Sequence, residues 1–144
     1  MPHIEQAMPY KILAKYPHLR PADIEIWQKF IENNPGRFSR VFYDYRVGDP
    51  EDWPEDAPRY IALAWKDLTM WQVDVVAEDE KFLYIIEVKP FARASAIGQA
   101  LSYKILFDRE EKPWKPTIAV VLTDIILKST QYVAKKLGVQ MWTP

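Results

Sequence analysis

The sequence contains no cysteine, which excludes a disulfide framework, a thiolate zinc site and a cysteine nucleophile. Histidine is nearly as scarce. His3 and His18 are the whole complement, both near prolines, so they read as surface groups and a histidine metal site is not expected. Neither sign of charge is in excess: 19 basic residues stand against 20 acidic ones for a net charge of -1. The chain therefore lacks the balance of a protein that is basic all over, and any phosphate-facing patch must be local. The first ten residues have no basic-then-apolar leader, and apolar runs such as Thr117 to Leu122 are far too short to span a bilayer. A soluble, cytoplasmic protein with no membrane partner is expected.

What is present is apolar material for one core. With 144 residues, 49% of them hydrophobic, the chain reads as a single domain over 1–144, too short for two. Residues 1–20 form an N-terminal arm with a loose helix from Tyr10 to Lys15, and Pro21 opens a firmer helix that carries Ile24, Trp27, Phe30 and Ile31 and stops at Asn33-Asn34-Pro35-Gly36. Arg40 to Val47 is rich in β-branched and aromatic residues and reads as a strand. Residues 48–58 follow as an acidic, proline-rich loop, and a short helix is expected from Pro58 to Lys66.

Trp71 to Ala77 and Phe82 to Lys89 read as the two strands of a hairpin around a polar turn, Glu78 to Lys81. After them, Ala94 to Phe107 carries Ile97, Leu101 and Ile105 at helical spacing. Thr117 to Leu122 is a strand, Leu127 to Leu137 a helix ending at Gly138, and Val139 to Trp142 a last strand. This order predicts an α/β fold with a mixed central sheet, its first three strands antiparallel and helices on both faces.

The second hairpin strand is apolar on both faces yet ends in Glu87 and Lys89, which leave the same face because strand side chains alternate. Ionisable groups at the end of a buried strand cost several kcal/mol unless they are paired or hold a cation. If the turn has an even number of residues, Gln72, Asp74 and Val76 share the face of Ile85, Glu87 and Lys89. Asp74 and Glu87 then stand within about 7 to 8 Å along a cross-strand diagonal. Two carboxylates so placed can converge on one hard cation.

These residues resemble the PD-(D/E)XK nuclease superfamily, whose signature is an acidic residue on one core strand and Glu-X-Lys on the next. The match is Asp74, then Glu87-Val88-Lys89, with Gln99 and Tyr103 similar to the QxxxY element of its exonuclease branch; the likeness runs from about Arg40 to Leu122. The longer run, Val73 to Val76, Ile85 to Pro90 and Gly98 to Tyr103, looks like small phage and bacterial members. Val73 departs from the pattern, standing where the name's proline would be.

The resemblance implies a restriction-endonuclease-like core and a deoxyribonuclease dependent on Mg²⁺ or Mn²⁺ that hydrolyses DNA phosphodiester bonds. Asp74, Glu87 and the Val88 carbonyl would hold the ion and Lys89 the nucleophilic water, while Gln99 and Tyr103 would orient the nucleophile or the DNA backbone. A homodimer is an arrangement many such proteins adopt. Members often add a carboxylate from the first helix; Glu25, Glu32 and, on the next strand, Asp44 are the candidates, but Glu25 and Glu32 lie almost opposite that helix's apolar arc, and the third ligand stays unassigned.

Scattered charges on strands are most often solvated, and it is the ordered set that favours a site. Asp124 reads as a helix N-cap, the acidic loop as a solvated surface turned away from DNA, and Trp65, Trp71 and Trp114 as core, with stacking on an unpaired base as the lesser alternative. Arg37, Arg40, Arg46, Arg93 and Lys104 are candidates for a positive lip. Two rival readings keep the fold without the chemistry: an inactive module that grips nucleic acid or protein, and a phage structural or assembly protein in which the cluster is a salt bridge. A salt bridge would gain nothing from magnesium.

Overall fold

A computed structural model describes residues 6–17, 19–53, 55–56, 58–61, 64–65 and 69–144. His3 and His18 lie outside these, as do Ala62, Leu63 and Lys66 of the expected helix from Pro58 to Lys66, of which a short 3-10 turn at Arg59–Ile61 is described. Helix α1 (Pro21–Asn33) starts with proline at its first turn, where a missing N–H does no harm. It buries Ile26, Trp27, Phe30 and Ile31, and the Trp27 indole N–H donates to the Tyr43 hydroxyl at 2.8 Å. The expected helix from Tyr10 to Lys15 is not formed. That stretch is irregular, pinned instead by a Met8–Val41 bridge and by Tyr10 packing edge-on to Phe38.

Five strands lie in the order β1-β2-β3-β4-β5: β1 (Arg40–Val47), β2 (Trp71–Glu78), β3 (Leu83–Val88), β4 (Thr117–Leu122) and β5 (Gln140–Trp142). β1, β2 and β3 pair antiparallel, and β4 and β5 are added parallel. The added strands need crossovers, and helix α2 (Ala94–Glu111) and helix α3 (Lys128–Lys136) supply them. α1 and the arm cover one face, through Val41, Tyr43, Val75, Ile86 and Val88. α2 and α3 cover the other, through Val76, Ile85, Tyr103 and Phe107 and through Ala100, Val121 and Ala134. The mixed sheet with helices on both faces is the architecture expected.

Three boundaries differ from expectation, each for a local reason. The β2–β3 loop is Asp79 to Phe82, one residue later than anticipated, because the Asp79 carboxylate accepts the N–H groups of Lys81 and Phe82 at 2.8 and 2.7 Å and closes the turn itself. Glu78, expected in that turn, is instead a buried strand residue held by Arg40, Trp114 and Lys115. The loop still has an even count, so the facing of the two strands is unchanged. α2 runs on past Phe107 to Glu111 and buries Ala96, Ile97, Ala100, Tyr103 and Phe107, leaving Ile105 60% exposed. Steps of four residues overshoot a full turn by about 40°, so the Ile97-Leu101-Ile105 series winds off the core. α3 begins after Leu127, with no side-chain cap; Asp124 does not cap it, because Ile125 first makes an extended bridge to Phe91.

One irregularity inside the sheet sets the geometry of its open end. Asp44 has φ 50, a left-handed conformation that Asp tolerates better than most residues. The β1–β2 register pairs Tyr43 with Val75 and Tyr45 with Val73 and skips Asp44 and Asp74 between them. Tyr45 and Val73 consequently pack with Phe42 and Val76, whereas Tyr43 and Val75 face α1. Alternation slips at the same level in both strands.

Candidate functional site

β2 and β3 stop pairing just past that slip. Their register ends at Val75↔Ile86, and the next polar contact between them is made by a side chain: Asp74 Oδ2 accepts the Val88 N–H at 2.9 Å. β3 stays with β4 beyond this point, the Lys89 N–H donating to the Leu122 carbonyl at 2.9 Å. The strands therefore fork, and the fork opens into a pocket of about 710 Å³. Asp74, Glu87, Val88, Lys89, Gln99 and Tyr103 all line it. The structure thus brings together every residue singled out for the core of the site.

The Asp74 and Glu87 carboxyls lie close enough to interact side chain to side chain, an arrangement that favours a shared proton in the absence of a cation. Burial pushes Glu87 up to about 9, and the neighbouring Asp74 charge adds to that rise. Burial also raises Asp74, to about 6, against the opposing pull of the Val88 N–H. Two carboxyls in contact out of water cannot both ionise without a compensating cation. Lys89 lies close enough to favour their charged forms, yet among the described residues it forms no ion pair. The Tyr103 hydroxyl is pushed up to about 12 by burial and by the two acids, with Gln99 close enough to ease it down.

The third carboxylate at the fork is not among those expected from the sequence. Asp23, in the first turn of α1, lines the pocket and raises the pKa of Asp74; its own is raised by burial and eased down by the Arg20 backbone contact, Lys89 and Arg20. A signal existed: Asp23 precedes Ile26 and Trp27 by three and four residues, so it continues the buried stripe of α1. Glu25 and Glu32 are exposed and outside the pocket lining. Asp44 is also outside it; it pairs with Arg46 at 3.2 Å and, in the amide orientation that suits its neighbours, accepts from Gln72 at 3.1 Å.

The expected positive lip also lies elsewhere. Arg37, Arg40, Arg46 and Lys104 are committed to Asp79, Glu78, Asp44 and Asp108, and Arg93 lies over the Phe91 ring. The cations that line the pocket are Lys89 and Arg20. Opposite charges on neighbouring strands and loops find each other first, and sequence position alone does not reveal those pairings. Trp71 and Trp114 are not core either, being 50% and 41% exposed.

Comparison with solved structures gives the architecture its place. A chain from the complex of EndoMS with double-stranded DNA superposes with a TM-score of 0.51 over 92% of this chain and 48% of that one, at 13% identity. A repair endonuclease from Pyrococcus abyssi does so with a TM-score of 0.50 over 91% and 49%, also at 13% identity. The fold is restriction-endonuclease-like. This chain spans about half the length of each of those two. Neither a family model nor a curated protein matches the sequence. Among the described residues no helix is long and apolar enough to cross a membrane.

Proposed function

We propose that this chain is a divalent-cation-dependent deoxyribonuclease that hydrolyses DNA phosphodiester bonds at the β2–β3 fork. The observation that carries the reading is the contact between Asp74 and Glu87, two buried carboxyls from strands that part just beneath them, with Lys89 beside them in the same pocket. Such a pair is unstable as two anions and uneconomical as a structural feature, but suited to holding a cation.

The donor set fits a hard ion. Asp74, Glu87 and the Val88 carbonyl offer oxygen only, which suits Mg²⁺ or Mn²⁺ over softer metals. Among the described residues no group of three or more acidic, histidine or cysteine side chains is placed to hold a metal ion; magnesium is usually held by one or two carboxylates with waters and substrate phosphates, so two are enough, and Asp23 adds nearby negative charge. When bound, the ion supplies positive charge against the phosphate and makes water a better nucleophile near neutral pH.

The chain's own groups do the remaining work. Lys89 holds the attacking water or the phosphate oxygen, donating from an ammonium that has no carboxylate partner among the described residues. Gln99 and Tyr103, side by side in the pocket lining, position the DNA backbone from the α2 side. The lack of an ion pair at Lys89 also counts against the salt-bridge reading of the cluster.

The test is to incubate the protein with supercoiled, linear duplex, single-stranded and four-way-junction DNA, with and without Mg²⁺ or Mn²⁺, beside Lys89→Ala and Asp74→Asn. Cation-dependent cleavage lost by more than about a hundredfold in both variants is the expected result. Cleavage indifferent to both changes would reject this site.

A further inference from the structure

The pocket has one wall that hydrolysis does not use. Met70 and Trp71, at the start of β2, line it beside Gln72 and Asp74. An exposed tryptophan by itself needs no explanation, but Trp71 lines the pocket. Trp27, Trp65, Trp114 and Trp142 each commit the indole N–H to a partner within the protein; Trp71, like Trp53, has no such partner among the described residues, and half of the Trp71 surface is open. It is nonetheless held. Its ring stands against Gly48, close enough that a side chain there would touch it at 4.0 Å, and edge-on to Tyr103, with centroids 6.1 Å apart and planes at 74°. Gly48 is in turn anchored through its N–H to the Glu110 carboxylate at 2.8 Å.

A second exposed aromatic follows pocket-lining Pro90 in the chain but is not itself part of the lining. Phe91, next to pocket-lining Pro90, is 46% exposed and carries the Arg93 guanidinium 4.9 Å above its ring. Thr123 fixes this loop by accepting the Ala92 N–H at 3.3 Å and donating to the Pro90 carbonyl at 3.2 Å. An open aromatic face beside cations, here Trp71 with Lys89 and Arg20 in the same lining, is what a strand with unstacked bases needs, since a base freed from the duplex stack presents its π-face. A pocket of about 710 Å³ is also of small-ligand size, enough for an unstacked nucleotide.

Building on the nuclease reading above, we infer that the site acts on DNA whose bases are unpaired at the scissile position, a single strand or a frayed end, and that Trp71 is the stacking platform that selects it. Trp71 touches the base and not the reacting phosphate, so it is a specificity residue.

The test uses the full chain and an oligothymidylate carrying one 2-aminopurine, beside the same strand in a blunt duplex. In Ca²⁺, the single strand should bind with quenching of the 2-aminopurine; Trp71→Phe should keep most of the quenching, and Trp71→Leu, which preserves apolar bulk, should abolish it and weaken binding on the order of tenfold. In Mg²⁺ or Mn²⁺, the wild type should cleave the single strand at least tenfold faster than the blunt duplex, and Trp71→Leu should raise KM for the single strand more than it lowers kcat. Equal loss on both substrates, or quenching that survives Trp71→Leu, overturns the inference and leaves the nuclease reading standing. Absence of cleavage of any DNA overturns both.

Discussion

The two ends of the β2–β3 hairpin treat their acids in opposite ways. At the loop end, Asp79 is pushed up by burial but held down to about 2 by Arg37, the Phe82 N–H, Tyr84 and the Lys81 N–H, with Arg37 further fixed over Phe38, Tyr84 and Trp142. At the forked end, Asp74 and Glu87 are both raised, by burial first and then by like charge. Donors surround the first acid and are scarce around the second pair. The same two strands thus carry one end built for stability and one that gives up stability, and the unstable end is where a ligand of opposite charge has something to gain.

Breaking the forked end should have the largest functional effect and an inverted effect on stability. Glu87→Gln should abolish cation-dependent cleavage by more than about a hundredfold while making the cation-free protein more stable by about 1 to 2 kcal/mol, because a neutral isostere needs no proton taken up on folding beside Asp74. Thermal melts in EDTA at pH 8 check this, and a lower Tm for the variant would refute the contrast.

At the loop end the sign should reverse. Asp79→Asn removes the charge that Arg37 and Tyr84 are built around and should destabilise the fold by about 1 to 3 kcal/mol, with no loss of cleavage at a temperature where the variant remains folded. Denaturant titration and a cleavage assay on one preparation separate the two effects.

The pH dependence sharpens the same comparison. Asp79 has a folded pKa below its unfolded value, so its stabilisation is present above about pH 4 and is lost as pH falls toward 2. Glu87 and Asp74 have folded pKa values above their unfolded ones, so the cation-free protein should lose stability as pH rises from about 4.5 toward 9. Millimolar Mg²⁺ should flatten this alkaline limb and leave the acid limb untouched. As the smallest effect, Arg109→Ala, which breaks an exposed pair with Asp49 away from both ends, should change stability by less than about 0.5 kcal/mol.

Much of this geometry was legible in the sequence. Alternation along Phe82 to Lys89 and an even loop were enough to put Asp74 and Glu87 on one side, and the closing loop moved by one residue without altering that parity. The helical stripe through Gln99 and Tyr103 was readable for the same reason. Contacts set by three-dimensional neighbours were not readable. Asp23 reaches the pocket only because α1 packs its first turn beside the fork, and the arginines named as a lip are taken up by acids as much as 42 residues away in sequence. Trp71 looked like core by residue type, although position at a strand's first residue, beside an opening sheet, left it half exposed.

The Asp74 side chain has a further consequence for how its loss would be interpreted. Its Oδ2 occupies the Val88 N–H, the donor that an uninterrupted antiparallel ladder would hand to the opposite strand's main chain. The acid is therefore also a wedge. Alanine at this position would leave that N–H searching for a partner and invite the strands to zip shut, so that a dead Asp74→Ala protein could have lost its cavity rather than its ligand. Asparagine keeps an oxygen in the same spot and separates the two causes.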